Sequence, residues 1–169
     1  LLEGLYSVKR STLSYPLIFE GVRLIVEALP VALHTPDDLE ARSKMSKASL
    51  LGGMVIAQTG TTLQHAIGYP LTTHLDVPHG LANGIVMREI MEMNQSALAS
   101  ELKQLFATIG LTKTAFYRWL SDLQMEPGAE IDDAFIERFT PEVLDTPNLA
   151  NNPVEVTAAD IRRIFQASK

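Results

Sequence analysis

Residues 16–29 read Pro-Leu-Ile-Phe-Glu-Gly-Val-Arg-Leu-Ile-Val-Glu-Ala-Leu, and Leu17, Gly21, Leu24, Ile25, Ala28 and Leu29 fall into one stripe. Steps of three and four residues place them on one face of a helix with 3.6 residues per turn. The same period governs most of the chain. Thr35-Pro36-Asp37-Asp38 reads as a helix start, with Thr35 as cap, Pro36 where its missing N–H costs nothing, and two acids at the positive end of the dipole. The helix it opens is expected to run through Met45, Ala48, Gly52, Val55 and Ile56, and as far as Ile67. Gly52 and Gly53 would then allow close approach of a neighbouring helix.

Between Gly68 and Gly80 the pattern changes. Pro70, Thr72, Thr73, Asp76 and Pro78 predict an ordered loop. Helices are expected again over residues 80–93, 99–108 and 113–124, the last capped by Thr112. Thr140-Pro141-Glu142 repeats the capped start for a short helix, and Thr157 to Asp160 forms a capping box for a final helix ending near Ala167. Residues 146–153 read as a Pro- and Asn-rich connection. No segment alternates as a strand would, and there is no internal repeat. The fold class is all-α, a helical bundle occupying residues 1–169.

Composition narrows the functions open to it. Hydrophobic residues make up 46% and charged residues 20% of the chain, as in ordinary globular domains. The net charge of −6, with Lys and Arg scattered, argues against a nucleic-acid partner. No apolar stretch reaches the length of a membrane span, so no membrane partner is expected. Leu1 and Leu2 are followed at once by Glu3, which is no signal-peptide pattern, and a cytoplasmic setting fits. The opening on Leu1 rather than Met suggests a piece of a longer protein. There is no cysteine, so any metal must be held by His, Asp or Glu.

The histidines are His34, His65, His74 and His79. His34 reads as the C-terminal cap of a helix, and His74 as a structural residue of the 68–80 loop. His65 is expected late in a helix and His79 at the start of the next. From spacing alone the plainer reading is two hydrogen-bonded core histidines, because this separation across a loop is no standard ligand spacing; a shared metal is the alternative.

Context favours the metal. The series Ala48-Ser49-Leu50-Leu51-Gly52-Gly53, Gly60, His65-Ala66, Pro78-His79-Gly80-Leu81-Ala82-Asn83-Gly84 and Asn94 resembles the signature of the iron-containing (group III) alcohol dehydrogenases. Residues 1–7 are similar to the end of the family's D-x-x-x-H-A-x-E-A-Y-x-S element. Pro36-Asp37, Ala41-Arg42, Met45 and Ala48-Ser49 fit a further stretch, and Asn152-Pro153 with the Thr157 box fits the closing one.

The resemblance implies the C-terminal helical domain of a two-domain fold like that of dehydroquinate synthase. His65 and His79 would be two ligands of Fe²⁺, or of Zn²⁺. The family's other two ligands, an Asp and a His, would precede Leu1, and its N-terminal α/β domain, which binds NAD or NADP, lies outside this chain. Gly52-Gly53 does not replace that domain, since it lacks a preceding strand and an x-G-x-x-G continuation. The parent protein would oxidise a small alcohol to an aldehyde or ketone by metal-assisted hydride transfer, and the chain alone would be inactive. Tyr69 stands where many members place a second histidine, one helical turn after the ligand, and is the candidate catalytic side chain. Met87-Arg88 stands where a Leu-Pro pair is usual, which would turn Arg88 toward a partner domain or a charged substrate. An apolar surface left by the second domain would favour a homo-oligomer. Glycerol dehydrogenase, maleylacetate reductase and a non-catalytic helical module remain the alternatives.

Overall fold

The computed structural model describes all 169 residues as helices and connections, with no strand. Ten α-helices follow in order: α1 (Leu2–Tyr6), α2 (Ser14–His34), α3 (Leu39–Thr59), α4 (Leu63–His74), α5 (His79–Ile85), α6 (Met87–Asn94), α7 (Ala99–Ile109), α8 (Lys113–Asp122), α9 (Asp133–Leu144) and α10 (Ala158–Ala167). No helix is long and apolar enough to cross a membrane. The helices group into two compact units, Leu1–Gly60 with Leu98–Leu123, and Thr61–Ala97 with Gln124–Lys169.

In the first unit α2 packs along α3. Gly21, Leu24 and Ala28 of the opening stripe are buried while Leu17, Ile25 and Leu29 are half-buried, and Ile18, Val22 and Ala32 complete the buried face of α2. On α3 the buried apolar residues are Ala41, Ala48 and Val55, one every seventh position, which makes a narrow seam of small side chains. The helix start differs from expectation. Asp38, not Thr35, is the N-cap, its carboxylate accepting from Ala41 N at 2.9 Å. Residues 35–38 form a turn, Asp38 N donating to Thr35 O at 3.0 Å, so the next helix begins only after Asp38, and Thr35 instead closes α2. The far end also differs. Gly60 adopts φ +64°, open to glycine at no steric cost, and stops α3 well short of Ile67. Gly53 meets nothing within 4 Å, so it mediates no close approach; Gly4 does, with its Cα against Val55. Thr112 caps α8 as expected, accepting from Ala115 N at 3.1 Å.

In the second unit Leu63, Ala66, Ile67, Pro70 and Leu71 line the buried side of α4. Their spacing is helical throughout, which explains why the segment expected to be a loop is a helix as far as His74. Burial of this stripe outweighs the lost N–H of Pro70. Pro141 is likewise inside α9, which starts at an Asp132 cap, so Thr140 is a buried mid-helix residue donating to Ile136 O at 2.7 Å and not a cap. The expected helix over 80–93 is two helices, α5 and α6, meeting at Val86. Phe135 packs against Phe139, tilted, and edge-on against Phe165, with ring centroids 4.5 and 5.7 Å away. The Thr157–Asp160 capping box is formed in both directions, at 3.3 and 3.0 Å.

Candidate metal centre

Two side-chain amides fix the entry to α4. Asn148 Nδ2 donates to Thr61 Oγ1 at 2.8 Å and Asn151 Nδ2 to Thr61 O at 2.9 Å. His65 therefore sits in the first turn of α4, not late in a helix. Its face of α4 continues through Tyr69 and Thr72, four and seven positions on, opposite the buried stripe. At the other end Asp76 takes φ +54°, a region tolerated by Asp better than by most residues. That turn brings Val77 N back onto Leu71 O at 3.2 Å and reverses the chain within four residues, so α5 lies beside α4.

Two contacts set the approach of these helices. Gly68 has no side chain because Asn83 occupies its place: a Cβ there would lie 2.8 Å from Asn83 Oδ1. Gln64 Nε2 donates to Asn83 O at 2.7 Å, tying the residue beside His65 to the end of α5. His79, the first residue of α5, then faces His65 with ring centroids 5.2 Å apart and planes at 60°. Tyr69 completes the group, its ring 5.9 Å from His65 and 6.0 Å from His79. His65 is half-buried, and His79 and Tyr69 are exposed, so the three rings are open to a ligand. His79 Nδ1 lies 3.3 Å from Thr72 Oγ1, and His79 Nε2 lies 3.3 Å from Asn83 Nδ2.

The chain matches the Fe-containing alcohol dehydrogenase family, C-terminal, over residues 1–169. The chain belongs to the iron-containing alcohol dehydrogenase family. It is 36% identical over 93 residues to the 1-propanol dehydrogenase of Citrobacter freundii, a stretch covering 55% of this chain and 25% of that protein. A solved iron-containing alcohol dehydrogenase from Thermotoga maritima superposes with a TM-score of 0.88 at 33% identity, covering 99% of this chain and 45% of that one. The sulfoacetaldehyde reductase of Bifidobacterium kashiwanohense, solved in complex with NAD⁺, gives 0.87 at 26% identity, covering 99% and 46%. The chain thus spans about half the length of these solved relatives.

The dehydrogenase family implies a divalent metal, and the histidine pair fits one. Two imidazoles that share a tetrahedral ion through nitrogens about 2.1 Å from it stand roughly 5.3 Å apart between centroids. The observed 5.2 Å is that separation. No third His, Asp or Glu side chain joins the pair in a cluster that could hold a metal ion. His34 ends α2, and His74 packs on Phe139 at 4.5 Å beside Arg138. Arg88 is exposed on α6. Thr72 was missed at the level of sequence because Pro70 reads as a helix stop; the spacing of 65, 69 and 72 would have placed it had the helix been continued. Asn94 and Asn152, both within the family pattern, form a buried amide pair, each Nδ2 donating to the other's Oδ1 at 3.3 and 3.1 Å. Its place is structural, pinning α6 to the segment before α10.

Proposed function

We propose that this chain is the metal-binding helical half of a nicotinamide-dependent alcohol dehydrogenase that interconverts a small alcohol and its aldehyde or ketone. The carrying observation is the 5.2 Å separation of the His65 and His79 rings on an open face. His65 and His79 would hold Fe²⁺ or Zn²⁺, for which imidazole is a suitable ligand. When bound, such an ion supplies Lewis acidity toward an alcohol or carbonyl oxygen. Tyr69 lies beside both rings with 43% of its surface exposed, which supports a role for its hydroxyl as a hydrogen-bond partner of the substrate oxygen. It stands where many family members carry a histidine, and a phenol is the poorer proton shuttle near neutral pH.

The NAD⁺ bound to the Bifidobacterium reductase supports NAD or NADP as hydride carrier, held by a half of the protein outside these 169 residues. The apolar side chains left uncovered on α3, among them Leu50 and Met54, support packing against that half or a second copy. The test is alcohol-dependent reduction of NAD or NADP by the full-length protein loaded with Fe²⁺ or Zn²⁺. His65→Ala and His79→Ala are each expected to abolish turnover, and Tyr69→Phe to lower kcat more than it changes KM. Turnover undiminished in both histidine variants would refute the assignment.

A further inference from the structure

We infer that Thr72 is a positioning residue that fixes the tautomer of His79 and so selects Nε2 as its ligating atom. The inference rests on the metal reading above and adds to it a residue of α4. A threonine hydroxyl has one hydrogen. Thr72 Oγ1 spends it on Gly68 O, 3.0 Å away within its own helix. Toward His79 Nδ1, 3.3 Å away, the hydroxyl can then only accept, so Nδ1 must carry the ring proton. A second contact reaches the same answer from the other side of the ring. Asn83 Nδ2 is oriented by donation to His79 O at 2.9 Å, where only the amide NH₂ can serve, and the same NH₂ lies 3.3 Å from His79 Nε2. A donor facing Nε2 requires a lone pair there. Nδ1 protonated and Nε2 bare is the one neutral tautomer that satisfies both contacts.

The consequence for binding is direct. A metal takes the bare nitrogen, and the proton on the other nitrogen needs an acceptor that holds the ring in place. Thr72 is that acceptor. Ligation by Nε2 and the Asn83 contact use the same lone pair and exclude each other, while the bond from Asn83 to His79 O can persist in either state. Gly68 contributes twice: its carbonyl takes the Thr72 hydrogen, and its missing side chain leaves room for Asn83.

The experiment uses the full-length protein with ¹⁵N-labelled histidine, the His79 signals assigned by their loss in His79→Gln. Long-range ¹H–¹⁵N correlation at alkaline pH reports which nitrogen of each neutral ring carries hydrogen, without metal or turnover. His79 is expected as the Nδ1–H tautomer in the parent and in Thr72→Ser. In Thr72→Val, a near-isostere without the hydroxyl, it is expected to shift toward Nε2–H. Zn²⁺ titration of the same samples should show affinity lowered by about 10–100-fold in Thr72→Val and restored in Thr72→Ser. Zn²⁺ binding with an unchanged His79 tautomer and affinity in Thr72→Val overturns the role of Thr72. The expected tautomer shift with no Zn²⁺ binding by any of the three proteins upholds the hydrogen-bond assignment and overturns the metal reading instead.

Discussion

Helices α3 and α4 divide their surfaces in opposite ways. Of its 21 residues α3 buries four, Ala41, Ala48, Val55 and Thr59, and leaves an apolar face with Leu50 at 65% and Met54 at 45% exposure. Of its 12 residues α4 buries seven and leaves partly or fully open the polar stripe of His65, Tyr69 and Thr72, with Thr73 and His74 at its end. A helix locked by packing over most of its circumference can hold a few polar side chains at fixed separations. A helix held along one seam of small residues cannot, but it offers a face for another surface. The difference separates the part of this chain suited to chemistry from a part suited to docking.

The largest consequence is in stability. Ile67→Ala, in the fully buried stripe of α4, should cost about 2–5 kcal/mol, whereas Leu50→Ala on α3 should stay within about 0.5 kcal/mol. Chemical denaturation of the two variants checks the contrast, and equal losses would erase it. Glycine sharpens it further, because the same substitution should change sign. Gly68→Ala pushes a methyl into Asn83 and should destabilise by about 1–3 kcal/mol. Gly53→Ala has open space and an ordinary helical backbone, and should stabilise by about 0.5–1 kcal/mol. Thermal melts of both variants decide it.

The smallest effect is electrostatic and belongs to α3 and its partner α2. Arg23, hydrogen-bonded to Glu20 at 2.9 Å, and Lys47, at 3.0 Å, hold the Glu20 carboxyl down at about 2. A carboxyl depressed in the folded state adds stability above its ordinary value of 4.5, and that share is lost as pH falls toward about 2. The group is largely exposed and screened, so the contribution is small and should shrink with salt. Melting temperatures of the parent and Glu20→Gln between pH 6 and pH 2 should converge as the pH drops; a constant gap would contradict the pairing.

Much of this architecture was legible in the residues themselves. The stripe through Leu24 and Ala28, the Thr112 cap and the Thr157–Asp160 box all act locally, and each appears where its chemistry put it. The failures were at proline. Pro70 and Pro141 read as punctuation, yet each sits inside a helix whose buried side outweighs one missing hydrogen bond. The misreading of Pro70 hid Thr72, which shares a face with His65 only if the helix continues. Gly60 erred the other way: a positive φ ended a helix that periodicity alone would have extended. The histidine pair came from its resemblance to a family, because their juxtaposition depends on the Asp76 turn and the Gly68–Asn83 contact, neither visible as a spacing.

The central claim is that His65 and His79 bind one ion together. Metal content per chain of the purified full-length protein, by elemental analysis after Fe²⁺ or Zn²⁺ loading and desalting, tests it most directly. The account predicts close to one ion in the parent and near-complete loss in His65→Ala and in His79→Ala, with the helical circular dichroism unchanged. Retention of the full metal complement in both variants would contradict it.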